Sequence, residues 1–255
     1  MSLRVSSAEG VMTVTFDRPH AHNAMTFEMY DALYAACEEA DADAGLRVLV
    51  LRGAGGKAFV AGTDIKELER FVAAEGGTAY EARVERVIDR LERVRVPVVA
   101  VVDGVAAGAG LIFAAAADAC VCTERSRFGA PIARTLGNCL TVKNTARVAR
   151  VVGERAAKWL LLTAALVDAQ TARALGLVSL VVGAEELEEQ VRSLLSRITS
   201  NAPLSLRAVK EAFRRSRTDV DADDSDLVSM CYGSRDFREG ARAFIEKREP
   251  EWTGT

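Results

Sequence analysis

Histidine is nearly absent from this 255-residue chain: His20 and His22 are the only two. They share one H-x-H loop, and no third and fourth ligand stands at a usual spacing, so no metal site is expected. Cysteine is sparse and odd in number: Cys37, Cys120, Cys122, Cys139 and Cys231. Their spacing gives no disulfide framework, and Cys120 and Cys122 read as two small core residues on one face of a strand. Neither sign of charge dominates, with 33 Lys and Arg against 36 Asp and Glu and a net charge of −3. A basic nucleic-acid surface is therefore not expected. Long apolar runs are also missing. The longest, 96–122, is broken by Asp103 and Asp118 and is largely Ala and Gly. A membrane helix would need about 20 consecutive apolar residues. The first residues, Met1–Val5, carry no secretory apolar region, and the cysteine usage suits a reducing compartment, so a cytoplasmic location is expected. No Ser stands in a G-x-S-x-G elbow, which argues against a hydrolase triad.

What is present is an ordinary globular composition, 49% hydrophobic and 27% charged, long enough for one domain with a helical extension. One device is written twice. Val48-Leu-Val-Leu51 leads through Gly53, Gly55 and Gly56 to Ala61-Gly62-Thr63-Asp64; Val98-Val-Ala-Val-Val102 leads through Asp103-Gly104 to Gly108-Ala109-Gly110. Each reads as a buried strand, a small-residue turn and the first turn of a helix. Helix first turns carry unpaired N–H groups and partial positive charge, so two of them facing one point would hold an oxyanion. Two nucleotide-loop patterns fail on inspection. After Gly53-Ala-Gly-Gly-Lys57, Ala58 replaces the Ser or Thr that binds Mg²⁺, and Leu51 stands where the leading Gly belongs. After Gly108-Ala-Gly110, Phe113 fills the third small position of a dinucleotide fingerprint.

The remaining periodicities predict a hairpin of Leu3–Ser7 with Val11–Phe16 around Glu9-Gly10. A helix capped by Thr26 would bury Phe27, Tyr30, Leu33, Tyr34 and Cys37. Asp64 is expected to begin a helix, with Glu67 completing a capping-box-like pair, and capping alone would account for it. Further helices are expected at Glu81–Val94, Glu185–Ile198, Pro203–Arg215, Asp224–Tyr232 and Arg235–Lys247, and strands at Ala119–Thr123 and Val178–Val182.

Six segments together resemble the enoyl-CoA hydratase/isomerase (crotonase) superfamily. They are Arg18-Pro19-x-x-x-Asn23-Ala24, Ala58-Phe-Val-Ala-Gly-Thr-Asp-Ile65, Asp103-Gly104-Val-Ala-Ala-Gly-Ala-Gly110, Phe128-Gly-Ala-Pro131, Gly176-Leu-Val178 and Glu239-Gly-x-x-Ala-Phe-x-Glu-Lys-Arg248. The resemblance implies an α/β crotonase-like spiral of ββα units over 1–200. It also implies a helical region, 201–255, that packs on the core and on neighbouring subunits of a homotrimer or hexamer. The ligand implied is an acyl-CoA thioester, with no cofactor beyond its CoA moiety and no nucleic-acid or membrane partner. By position, the N–H groups of Ala61 and Ala109 would form the oxyanion hole. Ala61, Gly62, Thr63, Asp64 and Ile65 would lie near the CoA adenine. His20 takes the place of a basic residue that meets CoA phosphates. Phe244 and Lys247 match tail positions that contact CoA, although Lys247 also fits a solvated helix face.

The chain departs from the family where hydration chemistry is done. The first of the two usual Glu positions is Ile112. The second is Ile132 when counted forward from Pro131, or Ala133 when counted back from Gly137. Both Ile112 and Ile132 would then face the acyl group. A positioned acid or base contributes about 10²–10⁴ in rate, so efficient hydration is not expected. The nearest polar candidates are Arg134, which would orient a polar acyl group or pair with a surface acid, and Asn138. Two outcomes stay open: an enzyme running another reaction on the same enolate, such as isomerisation or decarboxylation, or a non-catalytic acyl-CoA-binding oligomer.

Overall fold

The computed structural model describes residues 2–68 and 74–255. Strands β1 (Leu3–Ala8) and β2 (Val11–Phe16) form the expected antiparallel hairpin, with Leu3 opposite Phe16. Glu9 and Gly10 turn it at positive φ. In β2, Met12, Val14 and Phe16 alternate into the core. Thr26 caps α1 (Phe27–Ala42), its hydroxyl accepting the Met29 N–H at 3.2 Å. That helix buries Met29, Tyr30, Leu33, Ala36, Cys37 and Ala40. Phe27 and Tyr34 lie at the edge of this stripe instead, under the guanidinium groups of Arg83 and Arg86 at 4.4 and 4.2 Å.

Three strand–strand–helix units follow. The first is β3 (Val48–Gly53), β4 (Ala58–Val60) and α2 (Ile65–Leu68). After α3 (Ala74–Glu92) comes the second, β5 (Val98–Val102), β6 (Val105–Ala107) and α4 (Ala109–Ala116). The third is β7 (Ala119–Thr123), β8 (Arg127–Gly129) and α5 (Ile132–Thr135). The strand–turn–helix device is thus corrected: a three-residue strand stands between each turn and its helix. Such a strand is too short to display a two-residue period, and 58–60 is buried at every position. Helix α3 also differs from expectation, starting seven residues before Glu81 and ending at Glu92.

The long strands make a sheet in the order β1-β2-β3-β5-β7-β10, parallel except for β1, where β10 is Leu180–Val182. The expected strand from Val178 is shorter because Leu177 and Val178 are buried in the core before pairing begins. The short strands make a second sheet, β4-β6-β8-β9, with β9 (Leu166–Asp168) antiparallel at its edge. Both faces of the first sheet are covered, as an apolar parallel sheet requires. Leu49, Leu51, Val98, Ala100, Cys120 and Cys122 face the main core. There Phe16 stacks on Phe113 and meets Phe59 edge-on, with centroids 5.6 and 5.5 Å apart. Val48, Val50, Val99, Val101 and Val121 face the other way, under Leu187 and Val191. Burial pushes the thiols of Cys37 and Cys122 up to about 12, as expected of small core residues.

The rest is mostly helical: α6 (Val142–Val152), α7 (Glu154–Thr163), α8 (Ala169–Ala174), α9 (Leu187–Thr199), α10 (Pro203–Ser216), α11 (Ser225–Tyr232) and α12 (Arg235–Glu246). Lys210 of α10 ties back to the Val96 carbonyl and to Asp118, at 2.9 and 2.7 Å. Along the last three helices, Val209, Phe213, Val228, Tyr232, Phe237, Phe244 and Ile245 remain exposed. Among the described residues, no helix is long and apolar enough to cross a membrane.

Candidate functional site

Arg18, Asn23 and Asp64 are separate in sequence and form one clip in space. The Arg18 backbone N–H donates to Asn23 Oδ1 at 2.8 Å, and the buried Asn23 amide donates to the carbonyls of Ala54 (2.9 Å) and Ala58 (2.7 Å). Arg18 Nη1 donates to the Ala24 carbonyl at 2.6 Å, and its Nη2 pairs with Asp64 at 2.8 Å. Met25 N–H donates to Gly62 O and Asp64 N–H to Met25 O, each at 2.8 Å. The loop before α1 therefore pins the turn between β4 and α2. Asp64 does cap the next helix, accepting the Lys66 N–H at 3.0 Å, but α2 itself starts at Ile65.

The hydrogen bond from Arg18 holds the Asp64 carboxyl below the usual carboxylate range. A depressed carboxyl stabilises the fold above its unfolded pKa, about 3.9, and that contribution is lost as pH falls through the lower folded value. Asp64→Asn is expected to cost about 1–3 kcal/mol at neutral pH, less than a fully buried pair because both partners are partly solvated. Urea unfolding of both proteins should show the gap closing in acid; an equal loss at low pH would mean that shape, not charge, holds the clip.

Two glycine turns meet above this clip. A Cβ built on Gly108 would lie 3.4 Å from Gly62 Cα, so the backbones pass almost in contact. Gly110 shows what holds them together: a Cβ there would lie 2.0 Å from the Val60 carbonyl oxygen. Only glycine lets α4 seat this closely on β4. Ala61 follows Val60 and Ala109 precedes Gly110, so both sit where the two units touch. Ala109 opens α4, whose first-turn N–H groups have no acceptor within the helix. Ala61 is not in a helical first turn; its N–H donates to the His22 carbonyl at 3.2 Å.

Ala61 and Ala109 line a cavity of about 730 Å³. Gly62, Thr63, Asp64, Ile65, Ile112, Ile132 and Asn138 share its wall. The Thr63 hydroxyl is held between the phenols of Tyr30 (2.8 Å) and Tyr80 (2.6 Å), so it braces the turn. Other expected residues fall elsewhere. His20 is exposed outside the cavity, and His22 lines it instead. The loop after Arg18 turns through left-handed His22 and Asn23, which puts His22 rather than His20 at the mouth. Arg134 lies outside on α5, exposed. Phe244 is 86% exposed, and neither it nor Lys247, the left-handed cap of α12, reaches this cavity within one chain.

Residues not singled out from sequence complete the wall: Tyr80, Glu81, Val84 and Ile88 of α3, and Asn144 of α6. Burial, and secondarily the charge on Glu85, push the Glu81 carboxyl up to about 7. Behind this wall Arg147, 2% exposed, holds Glu85, Asp89 and Glu92 of α3 and donates to Asn144 Oδ1 at 2.7 Å. The acidic row along α3 was the available signal. The arrangement can accept charge on a ligand oxygen at the turns and move a proton at the α3 wall.

A family model for enoyl-CoA hydratase/isomerase matches residues 6–255. The short-chain-enoyl-CoA hydratase of Clostridium acetobutylicum is 34% identical over 245 residues, covering 94% of this chain and 93% of that one. The crotonyl-CoA hydratase of Syntrophomonas wolfei is 33% identical over 247 residues and 94% of each chain. Among solved structures, an enoyl-CoA hydratase/carnithine racemase from Magnetospirillum magneticum aligns with a TM-score of 0.94 at 31% identity, over 100% of this chain and 96% of that one. Motif order, strand–strand–helix architecture and full-length similarity therefore agree: the chain belongs to the enoyl-CoA hydratase/isomerase family and has the crotonase fold.

Proposed function

We propose that this protein binds an acyl-CoA thioester and stabilises its enolate on the N–H groups of Ala61 and Ala109, without running standard hydration. The contact of the Gly62 and Gly108 turns at the cavity, beside Ile112 and Ile132, carries this conclusion. Negative charge arriving on the thioester oxygen replaces the neutral His22 carbonyl as acceptor for Ala61 and meets the positive end of α4. Such a hole is worth about 10²–10³ in rate per donor. The adenine end of CoA would lie along Ala61–Ile65, with Lys66 at the rim. Asn138 on the wall suits a polar acyl group, and Arg134 lies too far out to do so.

The exposed apolar side chains of α10–α12 support a trimeric or hexameric assembly. In it, Phe244 and Lys247 would reach a neighbour's CoA instead of their own.

The test is crotonyl-CoA hydration beside thioester binding by calorimetry. Binding is expected, with hydration about 10²–10⁴ below that of the Clostridium relative, the value of one missing acid or base. Hydration at the relative's rate would overturn the role given to Ile112 and Ile132. Failure to bind any CoA thioester would overturn the ligand.

A further inference from the structure

We propose that Glu81 is the acid–base residue of the acyl cavity, moving a proton at the carbon next to the thioester carbonyl. This rests on the thioester role proposed above. Helix α3 carries four carboxylates on one face: Glu81, Glu85, Asp89 and Glu92. Three are tied down. Glu85 accepts from Arg147 at 2.5 Å and from the Thr141 hydroxyl at 2.8 Å. Asp89 pairs with Arg147 and with Lys143, the latter at 3.0 Å. Glu92 takes Arg147 Nε at 3.0 Å and Arg217 at 2.7 Å.

Glu81 is the exception. Among the described residues, no hydrogen bond or ion pair reaches it. One turn beyond the reach of Arg147, it lines the cavity with Ala61 and Ala109. The side chains beside it on that wall, Val84 and Ile88, are buried and apolar. An unpartnered carboxyl on an apolar wall costs stability. Where such a group faces a cleft, proton transfer is the use its environment suits.

Its titration fits that use. Burial and the charge on Glu85 raise it to about 7, where both protonation states are populated near neutrality. Other titratable groups on the cavity wall are Tyr80 on its own helix, Asp64 and Lys66 at the α2 turn, His22 before α1, and Cys139 before α6. Arg147 on α6 is spent on Glu85 and its neighbours.

The step needs no other reactant. The Glu81 carboxylate accepts the proton from the carbon α to the carbonyl. The C–H electron pair becomes the enolate C=C bond, and the carbonyl π pair moves onto the oxygen held by Ala61 and Ala109. The new carboxylic acid then returns the proton. Returned to the same carbon, it gives exchange; returned to the far end of a dienolate, it converts a 3-enoyl thioester to the 2-enoyl isomer. One carboxyl suffices for both, which suits a cavity where Ile112 and Ile132 offer no second acid.

The experiment follows α-deuterium uptake by butyryl-CoA in D₂O, and 3-hexenoyl-CoA isomerisation, for wild type, Glu81→Gln and Glu81→Asp. Butyryl-CoA binding is measured in parallel. Wild type is expected to exchange, with a rate that rises with pH through about 7. Glu81→Gln should lose about 10²–10⁴ of the rate and the pH dependence while binding butyryl-CoA unchanged. Glu81→Asp should restore part of both. The Gln variant should also be the more heat-stable above pH 7. In the folded chain the raised carboxyl keeps its proton where the unfolded chain has lost it, so wild-type stability falls as pH rises from 4.5 through about 7. Exchange at the wild-type rate by a Gln variant that still binds overturns the proposal, as does a wild type that binds butyryl-CoA and exchanges nothing. A wild type that binds no thioester overturns instead the role on which it rests.

Discussion

Gly110→Ala is expected to lower acyl-CoA proton exchange by about 10²-fold or more while the chain stays folded, because a 1 Å misplacement of reacting groups costs about that much. The added methyl would start 2.0 Å from Val60 O and 3.0 Å from Val60 C, both backbone atoms that no rotamer change can move aside. Helix α4 must therefore rise off β4, and Ala109 moves with it, away from Ala61. The second sheet absorbs part of the shift, since β4 and β6 pair through only two register positions with an irregularity between them. Overpacking of this kind costs about 1–3 kcal/mol, a loss that a domain of this size shows as a Tm several degrees lower. Thermal unfolding and deuterium uptake, measured on the same preparation, separate the two effects. A variant that unfolds a few degrees lower yet exchanges at the wild-type rate would show that the α4–β4 contact does not set the distance between the two N–H groups.

Gly110 also shows what could be read in the sequence. Its motif points to a backbone oxyanion site at a small-residue turn. The room at Gly110 is needed by the protein itself, for the Val60 carbonyl. That distinction is invisible without the partner strand, because β4 has three buried residues and no period. The long strands β3 and β5 were legible from unbroken Val, Leu and Ala runs, β7 from alternating Cys and small apolar residues, and the Thr26 cap from its position before an apolar stripe. The Arg18-Pro19 motif was legible as a family mark but not as a clip, since its partners Ala54, Ala58 and Asp64 lie 31 to 46 residues on. Ile112 and Ile132 could be placed on the cavity by position alone. Glu81 could not. The family pattern directs attention to α4 and α5 for acids, whereas Glu81 is marked only by what its neighbours on α3 do with Arg147.

Arg147→Met is expected to destabilise the protein by about 3–5 kcal/mol, the range for removing one partner from a buried charge cluster. Arg147 is 2% exposed, and Glu85 and Glu92 are 13% and 10% exposed, so water cannot replace the guanidinium. Methionine keeps most of the volume, which leaves charge as the main loss. Lys143 and Arg217 would still hold Asp89 and Glu92 from the surface side. Among the described residues, Glu85 would keep only the Thr141 hydroxyl. The consequence reaches the cavity, because the Glu85 charge already raises Glu81. With its counter-charge gone, Glu85 repels the ionised form of Glu81 more strongly, and the midpoint of the pH–rate profile should move up from about 7. Denaturant unfolding checks the first effect, and deuterium exchange against pH, well below the variant's melting temperature, checks the second. An unchanged midpoint in a destabilised variant would show that burial alone sets the Glu81 carboxyl and that the Arg147 cluster is structural only.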